Sequence, residues 1–332
     1  MQPSKGTAKP RPILGAAAYQ VMTDAPTSGF IGSVLMPYFD VSENAGIYPV
    51  IPAKALFNVP ETARSERGNY SRSVEQFESG QFVTRENGHE MPVDERFAKI
   101  YRTMLELETF TSRLCMEKIL RAQEVRVAAR VFNTSNYQTA AASAHWDKPD
   151  TDVKKDLDAG IEVMRSKGIQ PNALVMSWWL YRKLTNNKLV LAAVKDLFPE
   201  ASKTGTVTQA MIEAYFDIRL IVAGAIKNTA NRAKAAKLED IWSSEYAMLA
   251  RVATPGADIT EPCIGRIMRW NEGLAGEVIT DTYWEDSIRA SVVRHRHDTQ
   301  EVLLQSIDEN TGAAKSRISY YAGLLFTGVK TS

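Results

Sequence analysis

The sequence predicts an α+β fold, and three observations carry the prediction. A long run of helical periodicity spans Pro92 to Phe132, helix and strand patterns alternate between Asp150 and Ala223, and strand patterns dominate from Ile241 to Phe326. In the first run, Phe97, Ile100, Met104, Leu107, Phe110, Leu114, Leu120, Val125 and Val131 recur mainly three and four residues apart, the spacing that lines up one face of an α-helix. Pro92 suits a helix start, and Glu117 with Arg121 forms an i,i+4 pair of opposite charge. Unbroken, such a helix would reach ~60 Å at 1.5 Å per residue, so it is either a spine or two helices with a kink.

Before this helix the chain reads differently. Residues 1–56 hold Pro3, Pro10, Pro12, Pro26, Pro37, Pro49 and Pro52 among repeated glycines, too many breakers for long regular elements. The stretch reads as an extended arm or as an irregular, strand-rich start to a core. As an arm, its apolar residues Phe30, Ile31, Val34, Leu35, Tyr38, Phe39, Ile47 and Tyr48 need a surface outside the arm to cover them. From Phe57 to Asp94 the sequence turns polar, with sparse aromatics at Tyr70, Phe77 and Phe82. Turn signals at Glu78-Ser79-Gly80 and Asn87-Gly88 suggest a protruding two-stranded ribbon, the alternative being a mobile surface loop.

In the middle, Asp150-Thr151-Asp152 opens a helix carrying Val153, Leu157, Ile161 and Met164, which Gly168 closes. Ala173 to Ser177 then reads as a buried strand, Trp178 to Val194 as mostly helix, Thr208 to Tyr215 as helix and Ile218 to Ala223 as strand. Later strands are expected over Ile241–Val252, Ile264–Trp270, Ala275–Tyr283, Ser287–Val293 and Tyr320–Phe326.

Composition narrows the function. Lys and Arg number 40 against 39 Asp and Glu, for a net charge of +1. That balance disfavours a chain whose main task is gripping phosphates, while leaving room for a neutral wall around nucleic acid. The longest uncharged stretches fall far short of the ~20 residues of a membrane span. No signal-peptide core follows Lys5, Lys9 and Arg11, so the chain is expected to be made in the cytoplasm, with Cys115 and Cys263 as free thiols.

Catalytic signatures are sparse. GxGxxG, GxxxxGK[ST], HExxH and GxSxG do not occur, and there are four histidines, His89, His145, His295 and His297. Arg294-His295-Arg296-His297-Asp298 would put both imidazoles on one strand face, where neighbouring arginines oppose a cation; a solvated strand face is the expectation. Asp152, Asp156 and Glu162 read as helix-dipole partners before they read as a catalytic pair. Lys227, Arg232, Lys234 and Lys237 lack interleaved aromatics and read as a solvated loop. No cofactor and no metal is expected.

In this order the segments resemble the major capsid proteins of tailed bacteriophages, with the Hong Kong 97-type fold. Met36-Pro37-Tyr38-Phe39-Asp40-Val41 followed by Gly46-Ile47-Tyr48 is similar to the arm of that family. Gly88-His89-Glu90-Met91-Pro92-Val93-Asp94 is similar to the return of its loop into the spine. Glu124 to Ala128, Trp146 to Asp152, Gly168-Ile169-Gln170-Pro171-Asn172-Ala173-Leu174-Val175 and Leu184 to Val190 follow at the expected places, so the resemblance covers nearly the whole chain.

The resemblance implies an N-terminal arm (1–56), an extended loop (57–94), a peripheral domain with the spine helix (95–145 and 239–332) and an axial domain (146–238). It implies a non-enzymatic shell subunit that assembles with itself into pentamers and hexamers and encloses double-stranded DNA without reading its sequence. Decoration, scaffolding and portal proteins are its implied partners, and the virion capsid its destination. Phe39, Tyr48, Arg64, Arg67, Tyr70, Arg72, Phe77, Phe82, Arg85 and Glu90 are the implied subunit-interface residues, the arginines pairing with acids of a neighbour. Some members weld subunits through a lysine in the extended loop; Phe57 to Asp94 contains no lysine, so that bond is not expected here. An encapsulin-like nanocompartment shell shares the implied fold, and a cytosolic α/β enzyme is the competing reading from another class.

Overall fold

A computed structural model describes residues 9–50, 59–64, 66, 68–72, 78–101, 106–199, 207–230, 235–272, 278–304 and 320–331. The chain opens with β1 (Lys9–Pro10), α1 (Pro12–Asp24), α2 (Gly32–Leu35), β2 (Tyr38–Val41) and β3 (Ala45–Val50). It continues through β4 (Glu78–Val83), β5 (Arg85–Asp94), α3 (Glu95–Tyr101), α4 (Leu107–Val131) and β6 (Tyr137–Ala141). The central unit holds α5 (Val153–Ser166), β7 (Ala173–Ser177), α6 (Trp178–Leu184), α7 (Lys188–Leu197), α8 (Gln209–Phe216) and β8 (Arg219–Ala223). Strands β9 (Ile226–Asn228), β10 (Leu238–Asp240), β11 (Tyr246–Ala250), β12 (Arg266–Trp270), β13 (Ile279–Glu285), β14 (Ala290–Val302) and β15 (Tyr320–Thr327) complete it.

Two large sheets organise these elements. The first runs β1-β13-β14-β12-β2, with β5 also paired to β14, and its 13-residue girder β14 is long enough to hold three partners. The second runs β6-β15-β11-β7-β8. Its inner strand β7 is buried at every position, as expected for a strand covered on both faces. Gly160 of α5 permits close approach: a Cβ there would lie 2.7 Å from the Phe326 ring of β15. This sheet crosses the boundaries expected at 146 and 238, because β6, β11 and β15 lie outside 146–238 yet pair, directly or in turn, with β7 and β8.

The expected helix from Pro92 to Phe132 is divided. Pro92 lies in β5, which pairs with β14, and the spine is the 25-residue α4. Its buried face reads Thr111, Ser112, Cys115, Met116, Ile119, Leu120, Gln123, Glu124, Val127, Ala128 and Val131. Phe97, Ile100 and Phe110, expected on the apolar face, are exposed. The periodicity misled because four polar residues occupy the buried stripe.

Those polar residues have work to do against the arm and the sheet. Glu124, 2% exposed, accepts hydrogen bonds from the backbone N–H groups of Ile31 and Gly32, both at 2.8 Å, and from Trp242 Nε1 at 2.6 Å. Burial raises its pKa, and the three donors oppose that rise. Ser112 Oγ donates to the Leu14 carbonyl at 3.0 Å and lies 2.9 Å from His295 Nε2, while His295 Nδ1 lies 2.9 Å from Thr280 Oγ1. With the Ser112 proton spent on Leu14, the neutral ring donates from Nε2 and accepts from Thr280 at Nδ1. Alternate positions of β14 thus face α4, and His295 and His297 are buried, not solvated as the sequence suggested.

The first residues are also corrected. The breakers coexist with a 13-residue α1, in which Pro12 occupies the first turn where its missing N–H costs nothing. Leu14, Ala17, Ala18, Phe30, Ile31, Leu35 and Met36 are buried in the same chain. Most of the expected arm therefore lies on its own spine and sheet. Both cysteines are free and buried, and burial pushes each thiol up to about 11.

The two buried rings set a pH dependence. Desolvation lowers His295 and His297 from 6.5 to about 4, so between those values the unfolded chain binds more protons than the folded one. Stability is then full at neutral pH and falls as the pH drops from about 6.5 towards 4, by roughly 3 kcal/mol for each ring once below both values. Glu124 acts with the opposite sign, its folded pKa being raised, and offsets part of that loss. The urea midpoint of His297→Gln should therefore vary less between pH 7 and 4.5 than that of the parent; an unchanged slope would remove His297 from the account. Glu124→Gln turns an NH2 toward one of its donors and should cost about 1–3 kcal/mol at neutral pH, seen as a lower urea midpoint.

Candidate assembly surface

The ribbon is built from two copies of one pattern. Gly46-Ile47-Tyr48 in β3 and Gly80-Gln81-Phe82 in β4 pair antiparallel, placing Gly46 opposite Phe82 and Tyr48 opposite Gly80. Each aromatic ring covers the glycine across from it: a Cβ on Gly46 would lie 2.9 Å from Phe82 Cζ, and one on Gly80 would meet the Tyr48 ring. This is the aromatic-over-glycine device that fixes register in a two-stranded ribbon. Tyr48 and Phe82 are then buried against Met268 and Val302, with Phe39, Val41, Ile259 and Leu304 packed around them.

Register decides which groups look outward. Thr84 donates its backbone N–H to the Asn44 carbonyl at 2.7 Å, so the mutually bonded pairs are Asn44/Thr84, Gly46/Phe82 and Tyr48/Gly80. Backbone groups of Ala45, Ile47 and Pro49 on β3, and of Ser79, Gln81 and Val83 on β4, point away from the partner strand. The Ile47 side chain is 71% exposed. Beside β3 lies an open groove of about 450 Å³, lined among others by Phe39, Tyr48, Ile259, Glu43 and Asp40, whose carboxylate is held by Arg269.

Beyond the ribbon, the described residues between 59 and 72 form neither helix nor strand, and all but the half-buried Gly68 are exposed. Val59 is 91% and Tyr70 71% exposed. Arg64 holds this stretch together locally, donating to the Gly68 carbonyl at 2.7 Å and stacking 4.8 Å above the Tyr70 ring. Phe97, Ile100 and Tyr101 on α3 and Phe110 on α4 are also exposed, which the sequence reading missed because Phe97, Ile100 and Phe110 were assigned to a buried helix face.

The ten interface residues expected from the sequence separate into groups. Tyr48 and Phe82 are buried and Phe39 half-buried in one intrachain cluster, so these aromatics hold the ribbon instead of offering themselves to a neighbour. The reason is the glycine opposite each ring, which leaves room for the ring to fold inward. Glu90 accepts from Tyr283 Oη at 3.1 Å and from Arg294 Nε at 3.0 Å within its own chain. Arg64, Tyr70, Arg72 and Arg85 are exposed, while Arg67 and Phe77 lie outside the described residues. The turns expected at Glu78-Ser79-Gly80 and Asn87-Gly88 fall within β4 and β5, which pair with β3 and β14 and not with each other. Of the basic run, Lys227 and Lys237 sit on the β9–β10 hairpin; Arg232 and Lys234 lie outside the described residues. Among the described residues no group of three His, Cys, Asp or Glu could hold a metal ion, and no helix is long and apolar enough to cross a membrane.

Gly80→Val places methyl groups where the Tyr48 ring lies. Expulsion of the ring should cost about 1–3 kcal/mol and expose the β3–β4 ribbon, which limited proteolysis between residues 50 and 78 would report as faster cleavage.

No protein-family profile and no curated protein sequence matches the chain. Solved structures do. A phage-related protein from Bordetella bronchiseptica RB50 superposes with a TM-score of 0.65 at 18% identity, covering 98% of this chain and 99% of that one. A virus-like particle from Pyrococcus furiosus matches with a TM-score of 0.54 at 12% identity, over 95% of this chain and 98% of that one. A putative capsid protein of a prophage from E. coli CFT073 matches with a TM-score of 0.52 at 10% identity, over 97% and 99%. The likeness covers nearly the whole length of this chain, and its fold is accordingly the Hong Kong 97-type capsid fold.

Proposed function

We infer that this chain is the major capsid protein of a tailed bacteriophage, a non-enzymatic subunit that assembles with itself into pentamers and hexamers around double-stranded DNA. The observation that supports the reading best is the exposure of the described residues between Val59 and Arg72, where Val59 is 91% and Tyr70 71% exposed and Arg64 reaches only Gly68 and Tyr70 of the same stretch. Exposed valine and tyrosine beside arginine is the composition of an interface anchor. The end-to-end likeness to a prophage protein described as a putative capsid protein supports the same reading. A net charge of +1 suits a wall that encloses DNA without binding it tightly.

In this reading the chain divides into the arm (1–56), the extended loop (57–94), the peripheral domain (95–145 and 239–332) and the axial domain (146–238), the last enlarged by the strands that complete its sheet. Heterologous contacts close subunits into rings and rings into a shell. Arg64, Arg67, Arg72 and Arg85 set the register of those contacts more than their strength. Portal, scaffolding and decoration proteins complete the particle, and the mature location is the virion.

Purified protein viewed by negative stain should show closed shells, and particles from infected cells should hold nuclease-protected DNA; shells filled with a cargo protein would favour the nanocompartment reading, and a small soluble oligomer would overturn both. Replacing residues 61–72 by a Gly-Ser linker of equal length spares every paired strand. It should leave a folded subunit and lower shell yield by about tenfold or more, a few hot-spot contacts carrying most of the interface energy.

A further inference from the structure

Between α4 and the first sheet, buried nitrogen donors outnumber the acceptors that meet them. Register puts Tyr38 and Asp40 of β2, Arg269 of β12, and His297, Thr299 and Glu301 of β14 on one face of that sheet. Successive turns of α4 lie over this face: Tyr38 Oη donates to Gln123 Oε1 at 3.0 Å, and Arg126 Nε donates to Glu301 Oε1 at 2.9 Å. Gln123 and His297 are each 3% exposed. Yet Gln123 Nε2, Arg126 Nη2 and both ring nitrogens of His297 are buried with no hydrogen-bond partner among the described residues. The charges that act on His297 are those of Arg126 and Arg269, both positive. Asp40, which Arg269 holds, has a side chain 61% in solvent, so its charge is screened, whereas the guanidinium is 6% exposed. Glu301, the acid beneath α4, is spent on Arg126.

We propose that this place between α4, β12 and β14 is a binding site for a small anion of the halide class, held by Gln123 Nε2, Arg126 Nη2 and the ring N–H of His297. The kind of ligand follows from what the unmet groups offer. Gln123 Nε2 and Arg126 Nη2 only donate, and the neutral imidazole adds one more N–H and a single lone pair. Water would have its own O–H hydrogens to place and one lone pair among these groups to receive them. An anion accepts from every side and has no hydrogen to place, and the positive charges around His297 favour it further. The unmet atoms are out of contact with solvent, so the occupant is small. Bound there, it would fasten the spine helix to β14 between two contacts already made, Ser112 with His295 and Arg126 with Glu301. The inference concerns the folded subunit and stands apart from the shell-subunit reading.

The test is urea unfolding of the full-length chain in sodium gluconate, with chloride replacing gluconate at constant ionic strength. The midpoint should rise with chloride and then saturate, as it does for a ligand that binds the folded state alone. A general effect of the salt on the protein surface would instead keep changing with concentration. Gln123→Glu keeps an acceptor for Tyr38 and sets a carboxylate where the anion would lie, so the half-saturating chloride concentration should increase about tenfold or more. His297→Leu removes the ring N–H and should shift it in the same direction. Crystals of the parent soaked in bromide should give an anomalous peak within hydrogen-bond reach of Gln123 Nε2 and Arg126 Nη2. A midpoint without a saturating component would overturn the proposal, and so would water at that position with no bromide signal. A saturating rise that both variants retain would place the anion elsewhere and overturn it equally. Should either variant fail to fold, the chloride titration of the parent and the bromide peak decide the matter.

Discussion

A single buried carboxylate ties the segment at residues 31–32 and the indole of Trp242 to the spine helix. Glu124 projects from the centre of the spine helix into a site with three donors and no cation among its hydrogen-bond partners: two backbone N–H groups at the start of α2 and the indole of Trp242. An ionised carboxylate out of water is costly unless its lone pairs are met, and three donors at 2.6–2.8 Å meet them. The arrangement also fixes position. A carboxylate has to find all three donors at once, so residues 31–32 can dock at one place along α4, and Gly32 is required because a Cβ there would lie 2.6 Å from Glu124 Oε2.

Polar contacts of the same kind continue along the spine. Ser112, His295 and Thr280 join α1 and α4 to β14 and β13 through a chain of hydrogen bonds. Arg126 meets the buried Glu301 at 2.9 Å. Arg269, stacked 4.8 Å from the Tyr38 ring, holds Asp40 with two bonds, at 2.6 and 3.0 Å. Between α4 and the sheet, directional bonds do what apolar packing does between β7, β11 and their helices. Slipping α4 by a turn would strand several buried donors and acceptors at once, each costing about 1–3 kcal/mol, whereas an apolar interface would tolerate the shift more readily.

The interior is well packed but not fully satisfied, since Gln123 Nε2, Arg266 Nε and both ring nitrogens of His297 are buried without a hydrogen-bond partner among the described residues. The inward aromatics of the ribbon are covered by its own body, one outward group on β4 and two on β8 are met by side chains, and exposed large apolar side chains recur at Ile47, Val59 and Tyr70, on α3 and at other points of the surface such as Ile13, Trp178, Leu197 and Leu238. The stickiness inferred from the first ninety residues is thus more local than their composition suggests. Most of the apolar side chains between residues 12 and 41 complete the subunit's own core.

What the sequence determined by itself was whatever depends on local pattern and on order: the α+β class, the strands β7, β8 and β12, the helix α5 opened by Asp152, and the resemblance carried by short segments in a fixed succession. Alternation along β14 likewise placed both histidines on one face. Which side of a pattern is buried was decided only by tertiary structure, because burial depends on what lies opposite. Glu124, Gln123 and Ser112 look like solvent-facing residues until Ile31, Tyr38 and Leu14 arrive from some ninety positions away. Gly46 and Gly80 look like turn residues until each is found beneath the ring of the other's motif. The paired Gly-x-aromatic motifs were not recognised in the sequence, because their meaning lies in the register, and register belongs to the assembled sheet.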